Sequence, residues 1–284
     1  MNDSNDPRRS QSSPHPPFLT ASSSTVSISS LADSSRGLHR RRTLYLIRHG
    51  EAVHNVLEAI AEKEAKLDAE RQNLSPEETY AKMEEARQSV LTDPSLRDAP
   101  LTERGRQQAR DVSQKLQAVM NQGKIHPPTE AMCSPLSRCL ETTKIVLENS
   151  AINAHVRPEL TERKTQFPPD TPRPLEELLR LTRDDDRFII THIDQLSKEI
   201  AAHEAMVRES KEMLRARAGQ MFDLLMEMEH RHILVVSHKG FLRELERGLL
   251  EIPDSPLFQN CELRVYRVIF TRGDRSLHHL ERLV

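Results

Sequence analysis

A mixed α/β fold with a mostly parallel central sheet is what this sequence predicts, and two stretches carry that expectation. The apolar runs from Thr43 to Ile47 and from Ile233 to Val236 read as buried strands, the second with the unbroken aliphatic character of a parallel strand covered on both faces. Each run ends in a histidine and passes at once into a turn: Arg48-His49-Gly50 after the first, Ser237-His238-Lys239-Gly240 after the second. In open α/β sheets ligands bind outside the carboxyl ends of the strands. Both histidines therefore stand where a site is expected, with Arg48 supplying a planar fork suited to phosphate.

Bulk properties narrow the function classes. A chain of 284 residues fits one large domain or two small ones. A net charge of −2 leaves no basic excess for a phosphate backbone, so no nucleic-acid partner is expected. Only 36% of residues are hydrophobic and 30% are charged, so part of the chain is solvated and the core is concentrated elsewhere. No apolar run approaches the roughly 18–20 residues that span a bilayer, and no apolar signal segment opens the chain. No membrane partner is expected, and the location is read as cytoplasmic. Cys133, Cys139 and Cys261 are odd in number and fit reduced thiols. No ligand-type spacing calls for a metal, and no cofactor is expected.

Residues 1–41 are rich in Ser and Pro with scattered apolar positions, and read as a disordered tail ahead of a domain at 42–284. Arg8, Arg9, Arg36 and the run 40–42 among the serines would suit a transit peptide, while Asp3, Asp6 and Asp33 weigh against one.

After the first strand, two charge-rich helices are predicted, from about Val56 to Gln72 and from Pro76 to about Val90. Ser75, Pro76 and Glu78 form a capping box with proline at the first turn. Inserted directly behind the strand-end motif, the pair either stands over the site mouth or is a solvated hairpin. Thr102 caps the next helix, whose apolar face is Ala109, Val112, Leu116 and Val119 and which ends at Gly123. A strand from Thr129 to Cys133 then leads into a helix to about Glu148, with Ser134 as its cap, Pro135 at the first turn and Arg138 following. Arg138 either faces an anion with the helix N-terminus or pairs with Glu141 or Glu148 at the surface.

A short strand near Ala154 runs into a loop bearing Glu159 and Glu162, and the segment from Phe167 to Pro174 is a Pro-rich loop. A helical piece spans Leu175 to Leu181. From about Phe188 to Glu229 the pattern is one long charged helix with patchy apolar positions at Ile193, Leu196, Ile200, Met206, Met213, Phe222 and Leu225. A dimerising arm is one reading of it, so the oligomeric state stays open. The last elements are a strand from Leu263 to Phe270 and an edge strand or loose tail from Leu277 to Leu283.

The decapeptide from Leu46 to Asn55 resembles the signature of the histidine phosphatase superfamily, the phosphoglycerate mutase-like proteins. Leu46, Arg48, His49, Gly50, Glu51 and Asn55 meet every fixed position. Further resemblances fall in family order: Leu101, Thr102, Gly105, Gln108 and Ala109, then Arg138, Glu162 in Leu160-Thr161-Glu162, and His238. Asn260-Cys261-Glu262 is similar to the eukaryotic branch. The resemblance implies a three-layer α/β/α sandwich with the helical insertion over the active site. It implies a metal-independent phosphatase that hydrolyses a small phosphorylated substrate through a phosphohistidine. By that resemblance His49 is the nucleophile, and Arg48, Asn55, Arg138 and a protonated His238 bind the phosphoryl group. Glu162, with Glu159 as runner-up, is the general acid. Two other activities fit the same residues: a cofactor-dependent phosphoglycerate mutase, and a weakly catalytic phospho-ligand binding or scaffold member. The mutases carry E-R-H-Y-G after the acid, whereas Glu162 is followed here by Arg163-Lys164-Thr165-Gln166.

Overall fold

The computed structural model describes residues 39–205 and 208–284. The expected tail and Met206 lie outside them, except that residues 39–41 are already strand. The strands are β1 (His39–Arg48), β2 (Glu130–Cys133), β3 (Ala154–Val156), β4 (Phe188–Ile189), β5 (His232–Ser237), β6 (Leu263–Thr271) and β7 (Leu277–Arg282). They form one sheet in the order β4-β3-β2-β5-β1-β6-β7. The first five positions are mutually parallel, and β6 runs antiparallel to both β1 and β7. Leu277 to Leu283 is thus an edge strand for nearly its whole length.

Alternation along the strands builds the three layers. Tyr45, Ile47, Leu234 and Val236 face one core, with α3 (Glu103–Asn121), α4 (Ser137–Val146), α5 (Leu175–Thr182) and α6 (Ile193–Glu204). Leu44, Leu46, Ile233 and Val235 face the other, with α7 (Lys211–Gly219), α8 (Met221–Glu227) and α9 (Lys239–Gly248). This is the three-layer α/β/α sandwich.

The single long helix expected over 188–229 is instead β4, α6, α7 and α8. Leu196 and Ile200 belong to one core and Leu214, Phe222 and Leu225 to the other, and one straight helix cannot serve both faces of a sheet. Ser210 restarts the chain as a helix, its Oγ accepting the Met213 N–H at 3.2 Å.

The insertion is α1 (Val53–Arg71) and α2 (Pro76–Leu91). Helix α1 starts three residues before the expected Val56, which places Asn55 in its first turn. Ser75 and Glu78 form the predicted capping box of α2. Arg87 crosses between the two helices to Glu58 at 3.1 Å and Glu62 at 3.6 Å.

The turn after β1 is held by the start of α3. The Thr102 N–H donates to the Glu51 carbonyl at 2.9 Å, and Gln108 Oε1 accepts the Glu51 N–H at 2.8 Å. Gly50 and Gly105 meet backbone to backbone: a Cβ on Gly105 would fall inside the van der Waals radius of the Glu51 carbonyl oxygen, and one on Gly50 would strike the Gly105 carbonyl. Glycine at 50 therefore serves close approach of α3, not only of a ligand as its strand-end position suggests. Gly105→Ala is expected to lose about 1–3 kcal/mol of stability through this overpacking. Gly219→Ala, in open space at a helix end, is expected to match wild type or gain up to about 1 kcal/mol. Urea denaturation of both variants checks the pair, and an unshifted Gly105→Ala midpoint would contradict the contact.

Candidate active site

Parallel pairing sets β1 beside β5, with Arg48 opposite Ser237 in register. His49 and His238 consequently follow adjacent strand ends, their rings 5.1 Å apart. The Gly50 carbonyl accepts from His49 Nδ1 at 2.7 Å, so that nitrogen carries the proton and Nε2 presents its lone pair. Arg138 Nε donates to Nε2 at 3.3 Å. Burial, then the charges of Arg138 and Arg48, hold the His49 pKa well below the ordinary 6.5, so the ring is neutral.

Arg138 is almost fully buried. It does not pair with Glu141, which is bound by Arg106. Its NH1 instead donates to the Pro169 carbonyl at 2.6 Å, and its NH2 meets Asp170 at 3.2 Å. Arg48 donates NH1 to the Phe258 carbonyl at 2.9 Å, while its Nε is buried without a hydrogen-bond partner among the described residues. Two guanidiniums, Arg138 bonded to the imidazole and Arg48 near enough to lower its pKa, make a fitting seat for an oxyanion.

His238 departs from the sequence expectation. It is fully buried, and burial, then Arg138 and His49, push its pKa well below 6.5, which favours the neutral ring where the sequence suggests a protonated one beside phosphate. Its Nε2 lies 2.8 Å from Ser134 Oγ and 3.4 Å from Cys139 Sγ. Ser134 Oγ also accepts the Leu136 N–H at 3.3 Å, so it meets His238 and the entry to α4 but caps no N–H within the helix. The cap falls to Asp98, whose carboxylate accepts the Ser137 N–H at 2.8 Å. Burial pushes the Asp98 pKa up to about 6, against the pull of Arg138.

Asn55 lines the cavity, but its amide is largely occupied. Oδ1 accepts the Ala52 N–H at 3.2 Å, and Nδ2 donates to His54 Nε2 at 2.9 Å, leaving one amide hydrogen for a ligand. His54 is neutral too, its pKa lowered to about 2, chiefly by burial.

Of the two candidate acids, Glu162 lines the cavity and Glu159 does not. Glu159 is held away by Arg157 at 3.3 Å and Gln195 at 2.9 Å. The Glu162 carboxylate accepts the Arg163 N–H at 2.8 Å and the Gly240 N–H at 3.2 Å, at the start of α9. Arg217 fixes this loop from behind, donating to the carbonyls of Glu159, Thr161 and Glu162 at 2.8, 2.9 and 3.1 Å.

Arg48, His49, Asn55, Arg138 and Glu162 together line a cavity of about 350 Å³. Helices α1 and α2 contribute Glu58, Glu84, Arg87 and Leu91 to its wall, so the inserted hairpin is part of the site. A wider cleft of about 650 Å³, lined by Arg41, His126 and His232 among others, opens by the first residues of β1 and contains none of these groups.

Sequence reasoning missed Asp170, Arg217 and Asn260. Asp170 sits in a segment read only as a Pro-rich loop. Asn260 Nδ2 donates to the His49 carbonyl at 3.1 Å, and the Cys261 N–H to that of Arg48 at 3.1 Å, so the Asn-Cys-Glu segment clamps the catalytic strand end. Its resemblance to a family branch was a signal, though not one of position.

The model of the histidine phosphatase superfamily (branch 1) matches residues 92–282, well over half of the chain. The chain belongs to the histidine phosphatase superfamily. The matched span begins behind α2, so the decapeptide with His49 lies ahead of it. Among solved structures, the chain is similar to a protein titled mycobacterial hydrolase 2, at 17% identity and TM-score 0.51, covering 86% of this chain and 90% of that one. It is also similar to a mycobacterial glucosyl-3-phosphoglycerate phosphatase complexed with VO3, at 18% identity and TM-score 0.50, covering 85% and 98%. No curated protein matches the chain. Among the described residues, no helix is long and apolar enough to cross a membrane.

The lowered pKa values carry a direct test. With histidine-selective ¹⁵N NMR at pH 5, well under the ordinary value of 6.5, His49 and His238 are expected to keep neutral-imidazole shifts. Protonated shifts for both rings would contradict this electrostatic account.

Proposed function

We propose that this protein is a metal-independent phosphomonoesterase that turns over through a phosphohistidine on His49. The observation that carries the reading is the neutral His49 ring, its Nε2 lone pair free of a proton and flanked by Arg138 and Arg48. Nε2 attacks phosphorus, and the N–P bond forms as the P–O bond to the leaving group breaks. The two guanidiniums bind the non-bridging oxygens, where negative charge is held through the transition state. Glu162 gives a proton to the leaving oxygen. Water then attacks phosphorus and returns a proton to Glu162, the N–P bond breaks, and inorganic phosphate leaves a neutral His49.

Arg48, Arg138 and the remaining Asn55 N–H supply the positive field that a metal ion supplies in kinases. His238 acts as a neutral neighbour, holding Ser134 behind the nucleophile. The segment after Glu162 lacks the mutase pattern, which favours hydrolysis over return of the phosphoryl group to substrate. Asn260-Cys261-Glu262, by its sequence resemblance, favours placement in the eukaryotic branch. A cytoplasmic location remains part of this reading.

His49→Ala is expected to abolish hydrolysis of p-nitrophenyl phosphate and the acid-labile phosphoenzyme together, while wild-type turnover persists in EDTA. Full activity in that variant, or loss of wild-type activity to the chelator, would overturn the mechanism. Gly240→Ala tests the acid: a Cβ there would occupy the space of the Glu162 carboxyl. A kcat loss of roughly ten-fold or more is expected from displacing a general acid, with the unfolding midpoint little changed because the crowded atoms end a flexible side chain. Unchanged kcat would remove Glu162 from the reaction.

A further inference from the structure

We propose that the cavity over His49 takes a compact substrate bearing two separated phosphate groups, one at Arg48 and Arg138 and the second on the cations of α7 and α9. The inference builds on the phosphoryl-transfer reading above and names its substrate class.

The charges around the cavity do not balance. Arg48 and Arg138 flank His49. Arg87 is matched by Glu58 at 3.1 Å and Glu84 at 3.2 Å, and Arg247 by Glu244 at 3.5 Å. Lys211, Lys239, Arg243 and the neighbouring Arg163 and Arg208 line the same cavity, and none has an ion-pair partner among the described residues. The remaining carboxylates, Glu162 and Asp170, are engaged with the Gly240 N–H and with Arg138. A single phosphate dianion beside His49 leaves this outer group of cations unneutralised.

Lys211, Lys239 and Arg208 are exposed, and two features suit the group to an anion. Lys239, Arg243 and Arg247 follow one another at four-residue spacing on α9. Like charges at that spacing destabilise a helix unless something neutralises them. Arg243 is half-buried, and its Nε is covered by protein with no acceptor among the described residues. An unmet buried donor is costly, and more so on a charged group. Phosphate matches a guanidinium fork, and one held by the terminal N–H groups of Arg243 would neutralise the row of cations. Lys239 adjoins Gly240, on whose N–H Glu162 rests, so the outer cations begin beside the proposed acid. A cavity of about 350 Å³ lies at the small end of ligand pockets, which fits a compact molecule.

The test compares kcat/KM of the full-length protein on propanediol to hexanediol bisphosphates, the matching hydroxyalkyl monophosphates and the matching carboxyalkyl phosphates. At least one bisphosphate is expected to lead both other series by roughly ten-fold or more, the size of a charge-assisted contact. The lead should lie in KM and shrink as salt rises. Arg243→Gln and Lys239→Gln should each narrow it. Equal turnover of all three series, a carboxyalkyl phosphate performing as well, or a lead that both variants leave intact would overturn the proposal. Calorimetry with non-hydrolysable alkane bisphosphonates and alkyl monophosphonates decides the same question without catalysis. Tighter bisphosphonate binding without any hydrolysis would sink the phosphatase reading and keep the second phosphate site. Hydrolysis without preference would sink the second site alone.

Discussion

Two buried guanidiniums, Arg48 at the end of β1 and Arg138 in the first turn of α4, with one carboxylate against them among the described residues, set the character of this molecule. Removing such charges from water is costly, and a carboxylate partner for each would recover much of that cost. The chain does something else. Arg48 is met by the carbonyl of Phe258 and Arg138 by that of Pro169, with Asp170 as the single acid. Carbonyl oxygens satisfy the N–H groups without cancelling the charge. Burial first, and then the field that remains, keep His49 and His238 unprotonated, and that field is available to any anion that enters. Neutral nucleophile and cationic pocket are thus two results of one arrangement.

The sheet makes that arrangement with little else. Strand order puts β2, β5 and β1 side by side, so their carboxyl ends deliver Ser134, His238 and His49 to one place. Each strand end is then pinned by chain that arrives from elsewhere. The start of α3 locks the turn after His49 through the Gly50–Gly105 contact, and Asn260 and Cys261 hold the carbonyls of His49 and Arg48 from the opposite side. Arg217, reaching the loop through three carbonyls, performs the same service for Glu162. Residues that look merely structural in the sequence are the ones that give the reacting groups their positions.

What could be read from sequence was local. Strand ends show as an apolar run and a turn. The Ser75–Glu78 box and the Thr102 cap are complete within four residues, and both are present in the fold. Polar partners distant along the chain left no such trace. Ser134 has the form of a helix cap, and nothing nearby reveals that His238, more than a hundred residues on, takes its hydroxyl. Asp170 and Arg217 gain meaning only once the loop after Glu162 has folded against α7. The charge state of His238 left no local trace for a related reason: it follows burial, and burial is a property of the whole sandwich. The segment 188–229 failed through composition, since charged residues and methionine continue across the point where the chain changes faces.

The inserted hairpin has a further significance. The chain entering and leaving it meets itself: Ala52 pairs with Leu101 as an antiparallel bridge, and the Val53 N–H donates to the Pro100 carbonyl at 3.0 Å. Entry and exit being adjacent, the hairpin is a cassette on a closed stem, whose length and sequence can change without disturbing the sheet. Evolution can therefore vary the wall of the pocket while holding the strand-end chemistry fixed. The family match begins at residue 92, directly behind this cassette, whose helices of 19 and 16 residues separate the nucleophile's strand from the remainder of the catalytic frame.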